Sequence, residues 1–442
     1  MSKSIPKDLG LPLIGHLLPY QKDRLKMLVE LGQKHGEIFE LKVGPRHLVV
    51  INSPEMIKQV LQTEFDNFVK RNNTKDIFGD SLASANAESW KEQRSMLQPL
   101  FSSAFLKESL VHFENLTQSN LENYDSNPNF SNMNVFFSKI TFDIILKCII
   151  GLNSYHQFEK VDKALVEISN SATNKNYLPV NMPKFLNPGQ KRLENSHFVM
   201  REIIKEGIDL AKENEDSLSL VNVLIKATKN APELLRRNKN FINDNVFTLI
   251  FAGYETTSQT LSWLSYLLSQ NKKWQNLCIE EAINFSNSKE INHENLKDLK
   301  YIDAVINESL RLYPPGWAFT RANIKETDLC GYHLKADQTV LISPFLTQRT
   351  STLWEKHDSF YPERWLEKTP AQFGRYNFFP FSSGPRVCIG MQFAMMEMRI
   401  ILITILKNYK FTLDGHHPIM DARVTLFSKN GFNIKLEEHN QK

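Results

Sequence analysis

The chain is 442 residues long, 41% apolar and 11% aromatic, and its 53 basic and 49 acidic residues leave a formal charge of +4. That composition supports a large globular core, and so small a basic excess gives no case for nucleic-acid binding. Four cysteines (Cys148, Cys278, Cys330, Cys388) lack CxxC spacing, so neither a disulfide framework nor a zinc site is indicated, and a reducing interior fits best.

Near the N-terminus the apolar stretch 9–18 is interrupted by Pro12 and His16. It is too short to span a bilayer and has no small-residue cleavage site, so a soluble, cytoplasmic protein with no membrane span is expected. Helical periodicity marks 25–35, 54–65, 140–150 and 198–212. Segments 38–43 and 48–52 read as paired strands about a Gly44-Pro45 turn. The Asn-, Ser- and Pro-rich stretches 70–87 and 169–190 read as loops. Near the C-terminus, Asn430-Gly431 between 424–429 and 432–436 is a strong hairpin signal. No repeat or linker divides the chain. One continuous domain, 1–442, is expected, mainly α with small peripheral β-sheets.

Four patterns carry chemistry. Residues 245–269 form a helix-like segment that is apolar on nearly all faces, yet Ala252-Gly253-Tyr254-Glu255-Thr256-Thr257 lies at its centre. Buried polar groups are costly without partners. Thr256 bonding back to a carbonyl, with Glu255 paired to a surface cation, would explain them structurally. A proton relay, with Gly253 letting the helix open, would explain them functionally. Glu308-Ser-Leu-Arg311 places opposite charges on one helix face ahead of Pro314-Pro315, a pair worth under about 1 kcal/mol if exposed. Trp90 and Arg94, four apart, aim an indole N–H and a guanidinium at one place, although a surface amphipathic turn gives the same pattern. Last comes Phe381-Ser-Ser-Gly384-Pro-Arg386-Val-Cys388-Ile-Gly390, followed at once by a run of helix formers. A cysteine at a glycine turn before a helix start is placed where N–H groups and the helix dipole favour a thiolate. A buried core cysteine is the plain alternative. The two glycines would let the backbone pass close to a flat cofactor, with Phe381 covering the sulfur.

The decapeptide resembles the cysteine-ligand signature of the cytochrome P-450 family, the haem-thiolate monooxygenases, at Phe381, Gly384, Arg386, Cys388 and Gly390. The other patterns resemble the same family in the expected order, and the implied fold is the family's own. The resemblance implies heme b with an axial Cys388 thiolate, molecular oxygen as cosubstrate, and oxygen insertion into an apolar small molecule. It implies that Ala252 and Gly253 flank the haem, that Thr256 hydrogen-bonds dioxygen, and that Glu255 supplies protons. Trp90, Arg94, Arg321 and Arg386 would hold the propionates, and Glu308, Arg311 and Arg364 would form a buried ion network. Ala252, Thr256, Gly316, Trp317, Ala318 and Phe319 are expected to face substrate. Two departures stand out: Gln93 and Gln348 occupy positions where the family often has histidine. No flavin or nicotinamide fingerprint occurs, so electrons are expected from a ferredoxin or flavodoxin with its reductase, docking on the cysteine side near Lys91, Lys107 and Arg399. The resemblance leans to the soluble bacterial type and a monomer. A haem-binding sensor or electron carrier without oxygenase activity is the alternative reading, against which the intact Glu255–Thr256 pair speaks.

Overall fold

The computed structural model describes residues 3–71, 75–125, 132–152, 158–175, 189–213, 219–229, 238 and 240–439. Helices dominate, among them α1 (Leu17–His35), α2 (Ala87–Leu97), α3 (Ser103–Asp125), α4 (Met133–Ile145), α5 (Phe158–Lys175), α6 (Gln190–Glu213), α7 (Phe241–Gln270), α8 (Lys300–Leu312) and α9 (Met391–Leu406). Both α7 and α9 are apolar on most faces and run through the largest core cluster, as the all-round hydrophobic pattern requires. Gly253 does not open α7, which stays helical through this point. A Cβ there would meet Ile145 Cδ1 at 2.5 Å, so the glycine serves close packing against α4.

A six-stranded sheet runs in the order Lys7–Asp8, Ile38–Val43, Arg46–Ile51, Thr339–Ile342, Phe319–Asn323, Phe68–Val69. The second and third strands form the expected antiparallel pair around Gly44-Pro45. The C-terminal hairpin is not formed as expected. Leu426–Ser428 pairs with Met420–Ala422, and Ile434–Glu438 pairs with Tyr409–Leu413. Asn430 explains the change, since its side chain accepts from Ile419 N and donates to His417 O, fastening the turn to the preceding loop. The expected loop 169–190 is also corrected in part: α5 continues to Lys175, while 176–188 lie outside the described residues. Within 70–87 a short helix occupies Lys75–Phe78.

Glu308 and Arg311 are fully buried, not a surface pair. Arg311 Nε and Nη2 donate to Glu308 Oε2 and Oε1 at 3.0 and 2.8 Å, and Arg364 Nε lies 3.2 Å from Oε2. Trp365 Nε1 and Tyr361 N complete the carboxylate's shell, at 2.8 and 2.9 Å. Gln348, at the position where the family often has histidine, is fully buried. Its amide donates to Leu310 O and Arg311 O, and its carbonyl accepts from Phe379 N at 3.0 Å. Glu308→Ala strands two buried guanidiniums and lowers the unfolding free energy by about 3–5 kcal/mol. Chemical denaturation of E308A and R311A, with haem content measured in parallel, checks this, and wild-type stability with full loading would overturn it.

Candidate active site

A cavity of about 330 Å3 opens between α7, α9 and the cysteine loop, with Ala252, Thr256, Phe319, Phe381, Cys388 and Gly390 among its walls. The loop enters as Gly384–Arg386, and Cys388 N donates to Phe381 O at 2.9 Å before Gly390 caps α9. The Cys388 side chain is open to space, and that space is the interior cavity rather than the outer surface. Burial pushes its thiol up, against the pull of the Gly390 N–H and the Arg94 charge. The helix start therefore does not make the thiolate by itself, and a bound metal cation is what would invert the balance. Gly384, at φ +71°, is required for a reason other than a cofactor: a Cβ there would lie 2.1 Å from Leu61 O. Gly390 does match the cofactor reading, since the nearest atom to an added Cβ is 3.9 Å away, leaving that backbone face free for a flat group.

Beside the cavity lies a cluster of positive charge. Arg386 packs over the Trp90 ring at 4.5 Å and donates to Ala85 O, while its Nε has no partner. Arg321 is buried, its guanidinium 5.0 Å from the Phe319 ring and donating to Thr320 O. Burial first, then Arg386, brings Arg321 down to about 9, and burial alone brings Arg386 to about 10. Lys70 joins them, held well below the ordinary lysine range by burial and by both arginines. The sequence reading missed it, because it stands in a stretch that reads as loop. No carboxylate pairs with any of the three among the described residues. Buried cations without an acid are costly, and the donor set fits a guest carrying two carboxylates, as haem does. Arg94 is placed differently from the expectation. It donates to Val387 O at 2.8 Å and to Gln98, so it braces the cysteine loop. Gln93 points away too, bridging Asp80 O and Asn245.

On α7, Thr256 faces the cavity and donates to Ala252 O at 2.6 Å. Glu255 turns the other way, where it accepts from Thr425 at 2.6 Å and Ser169 at 3.2 Å with Arg423 near. Burial raises its carboxyl above the usual range. Of the expected substrate contacts, Ala252, Thr256, Gly316 and Phe319 line the cavity. Trp317 and Ala318 do not: Trp317 Nε1 donates to Arg423 O at 2.8 Å, and both pack into the smaller core beside α1. Phe319, which was expected there, is joined on the cavity wall by Phe101, Phe381 and Phe393. Arg399 is also no free surface cation, being bidentate on Asp303.

A helical fold whose single cavity-facing cysteine sits beside a dicarboxylate-binding set of cations defines a haem-thiolate protein. The chain belongs to the cytochrome P450 family, which matches it over residues 5–436. Its relatives include cytochrome P450 3A29 of Sus scrofa, 28% identical over 438 residues covering 92% of this chain and 85% of that protein. Cytochrome P450 3A56 of Fundulus heteroclitus is 26% identical over 452 residues, covering 96% and 90%. Cytochrome P450 3A6 of Oryctolagus cuniculus is 28% identical over 436 residues, covering 92% and 86%. The chain is thus a monooxygenase that uses haem with cysteine thiolate ligation and molecular oxygen on a hydrophobic substrate. The leaning to a bacterial type finds no support among these vertebrate relatives. No helix among the described residues is long and apolar enough to cross a membrane.

Arg321→Met separates holding the cofactor from holding the fold. Removing one unpaired buried cation stabilises the haem-free protein while haem leaves faster. Unfolding of the apoprotein and haem transfer to a scavenger check the two signs.

Proposed function

We propose that this chain's residues divide the oxygenation as follows. Haem supplies oxygen binding and O–O cleavage, favoured by the thiolate. Lys70, Arg321, Arg386 and Trp90 hold its carboxylates. Ala252, Gly316 and the phenylalanine walls exclude water and seat an apolar substrate. Thr256 has its hydroxyl at the cavity wall, and it becomes the hydrogen-bond donor for oxygen when it lets go of Ala252 O. Glu255 holds a proton on the far side of the same turn, and its partners Ser169 and Thr425 lead it toward α5 and the Met420–Ser428 ribbon. The observation that carries this reading is the presence of Cys388 and the Thr256 hydroxyl in one apolar cavity, brought there by helices distant in sequence. Electrons come from a separate ferredoxin or flavodoxin with its reductase. It meets Lys91 and Lys107 on the cysteine side, so reduction slows as salt rises. A reduction rate indifferent to ionic strength would reject that docking face.

Thr256→Ala keeps the reduced carbon monoxide spectrum but lowers product formation by about 10²-fold, oxygen use continuing without product. Cys388→Ser loses that spectrum. The acid form of Glu255 is the one required, and burial raises its carboxyl above the usual range. Turnover therefore falls as pH rises through that raised pKa. Glu255→Gln lowers turnover and removes this alkaline limb, and an unchanged pH profile in E255Q would reject the role.

A further inference from the structure

Asn86 stands immediately before α2 with the extended backbone of a helix cap, φ −127° and ψ 169°, yet its side chain takes no bond from that helix. Asparagine is among the residues preferred at this position, because its oxygen satisfies one of the free N–H groups of the first turn. Asn132 does so at the start of α4, where it accepts from Asn134 N at 3.2 Å. At α2 the cap is forgone, and the next residue, Ala87, stands at φ +47°, a left-handed backbone that residues other than glycine seldom adopt. Two departures from local preference at one point require a reason elsewhere in the fold.

The bonds of the side chain supply it. Asn86 Oδ1 accepts from Lys70 N at 3.0 Å and from Arg386 Nη2 at 3.2 Å, while Asn86 Nδ2 donates to Lys70 O at 2.7 Å. One amide thus joins the stretch before α2 to the cysteine loop. The neighbouring carbonyls act the same way: Ala83 O accepts from Lys70 Nζ at 2.7 Å and Ala85 O from Arg386 Nη1 at 2.9 Å. Both partners belong to the cation set that fits the two carboxylates of haem. Burial first, then Arg321 and Arg386, pull Lys70 well below its ordinary range, so each cation lies in the field of the others. Like charges in so dry a place move apart unless something holds them. None of these bonds uses Arg386 Nε, which has no partner among the described residues.

We propose that Asn86 is a positioning residue of the cofactor site: its amide clips Lys70 to Arg386 against their repulsion, so that both cations meet the carboxylates of haem together. The inference rests on the haem reading of the cation set. Asn86 acts through the two cations, and the cap of α2 is given up to that duty.

The test measures transfer of haem to a scavenger from loaded wild type, Asn86→Ala and Asn86→Asp, and repeats it with haem whose two carboxylates are methyl esters. N86A is expected to release haem about 10-fold faster than wild type, and to release the diester no faster than wild type does. A purely structural role would speed both alike, so equal acceleration overturns the proposal, as does haem release from N86A at the wild-type rate. N86D keeps the shape of the side chain and sets an acid between the cations, and it carries the test alone if N86A fails to fold. It should release haem faster than wild type while its haem-free form gains resistance to urea, because its own carboxylate occupies the cations. Haem release from N86D at or below the wild-type rate, or a haem-free form no more resistant, overturns the proposal equally. Wild type separates this inference from the reading beneath it. If wild type releases haem and the diester at one rate, the cation set holds no carboxylate, and that reading falls with the proposal. If wild type holds haem the more tightly while the variants fail as above, only Asn86 loses its role.

Discussion

Glu308 shares two oxygens among Arg311, Arg364, Trp365 and the Tyr361 amide in a place water does not reach. Once that carboxylate is taken out of water, its partners have little freedom, because a missing donor leaves a charge uncompensated. The constraint reaches the cysteine loop in few steps. Arg311 donates to Gln348 O and His357 O, Gln348 accepts from Phe379 N, and Phe381 follows two residues later to accept from Cys388. The end of α8, the 355–365 segment and the loop before α9 are therefore positioned by one ionic knot rather than by loop propensity.

Against that fixed side, α7 brings the polar groups. Its glycine is taken up by Ile145, so helix and neighbour lie close, and Thr256 puts a hydroxyl into a mainly apolar wall. Glu255 on the next position is drawn off to Ser169 and Thr425. Successive helical residues point about 100° apart, and here Thr256 and Thr257 take the cavity side while Glu255, one place earlier, falls on the other. The adjacency places the acid behind the helix, in contact with elements that reach the surface.

Much of this was legible from short-range spacing. The cysteine decapeptide and the central helix stand where their patterns put them, whereas the burial of the Glu308–Arg311 pair was implied by the family resemblance and not by its spacing. Residues whose role depends on distant partners were not legible. Gly316 stands in a bend and Phe319 begins a strand, so the directions of Trp317 and Ala318 between them follow no period that the sequence shows. Lys70 lies in a stretch without periodicity, and only Arg321 and Arg386 across the fold reveal its meaning. The Asn430-Gly431 turn exists, with Gly431 at φ +78°, yet its strands find other partners because Tyr409–Leu413 occupies the edge that a hairpin would need.

The crowding of Lys70, Arg321 and Arg386 has a consequence beyond cofactor recognition. Mutual repulsion in a dry corner loosens the newly made chain around the cavity until two negative groups arrive. A chain waiting for its prosthetic group is thus the more readily opened and degraded form, and the cell's iron and porphyrin economy sets how much of this protein endures.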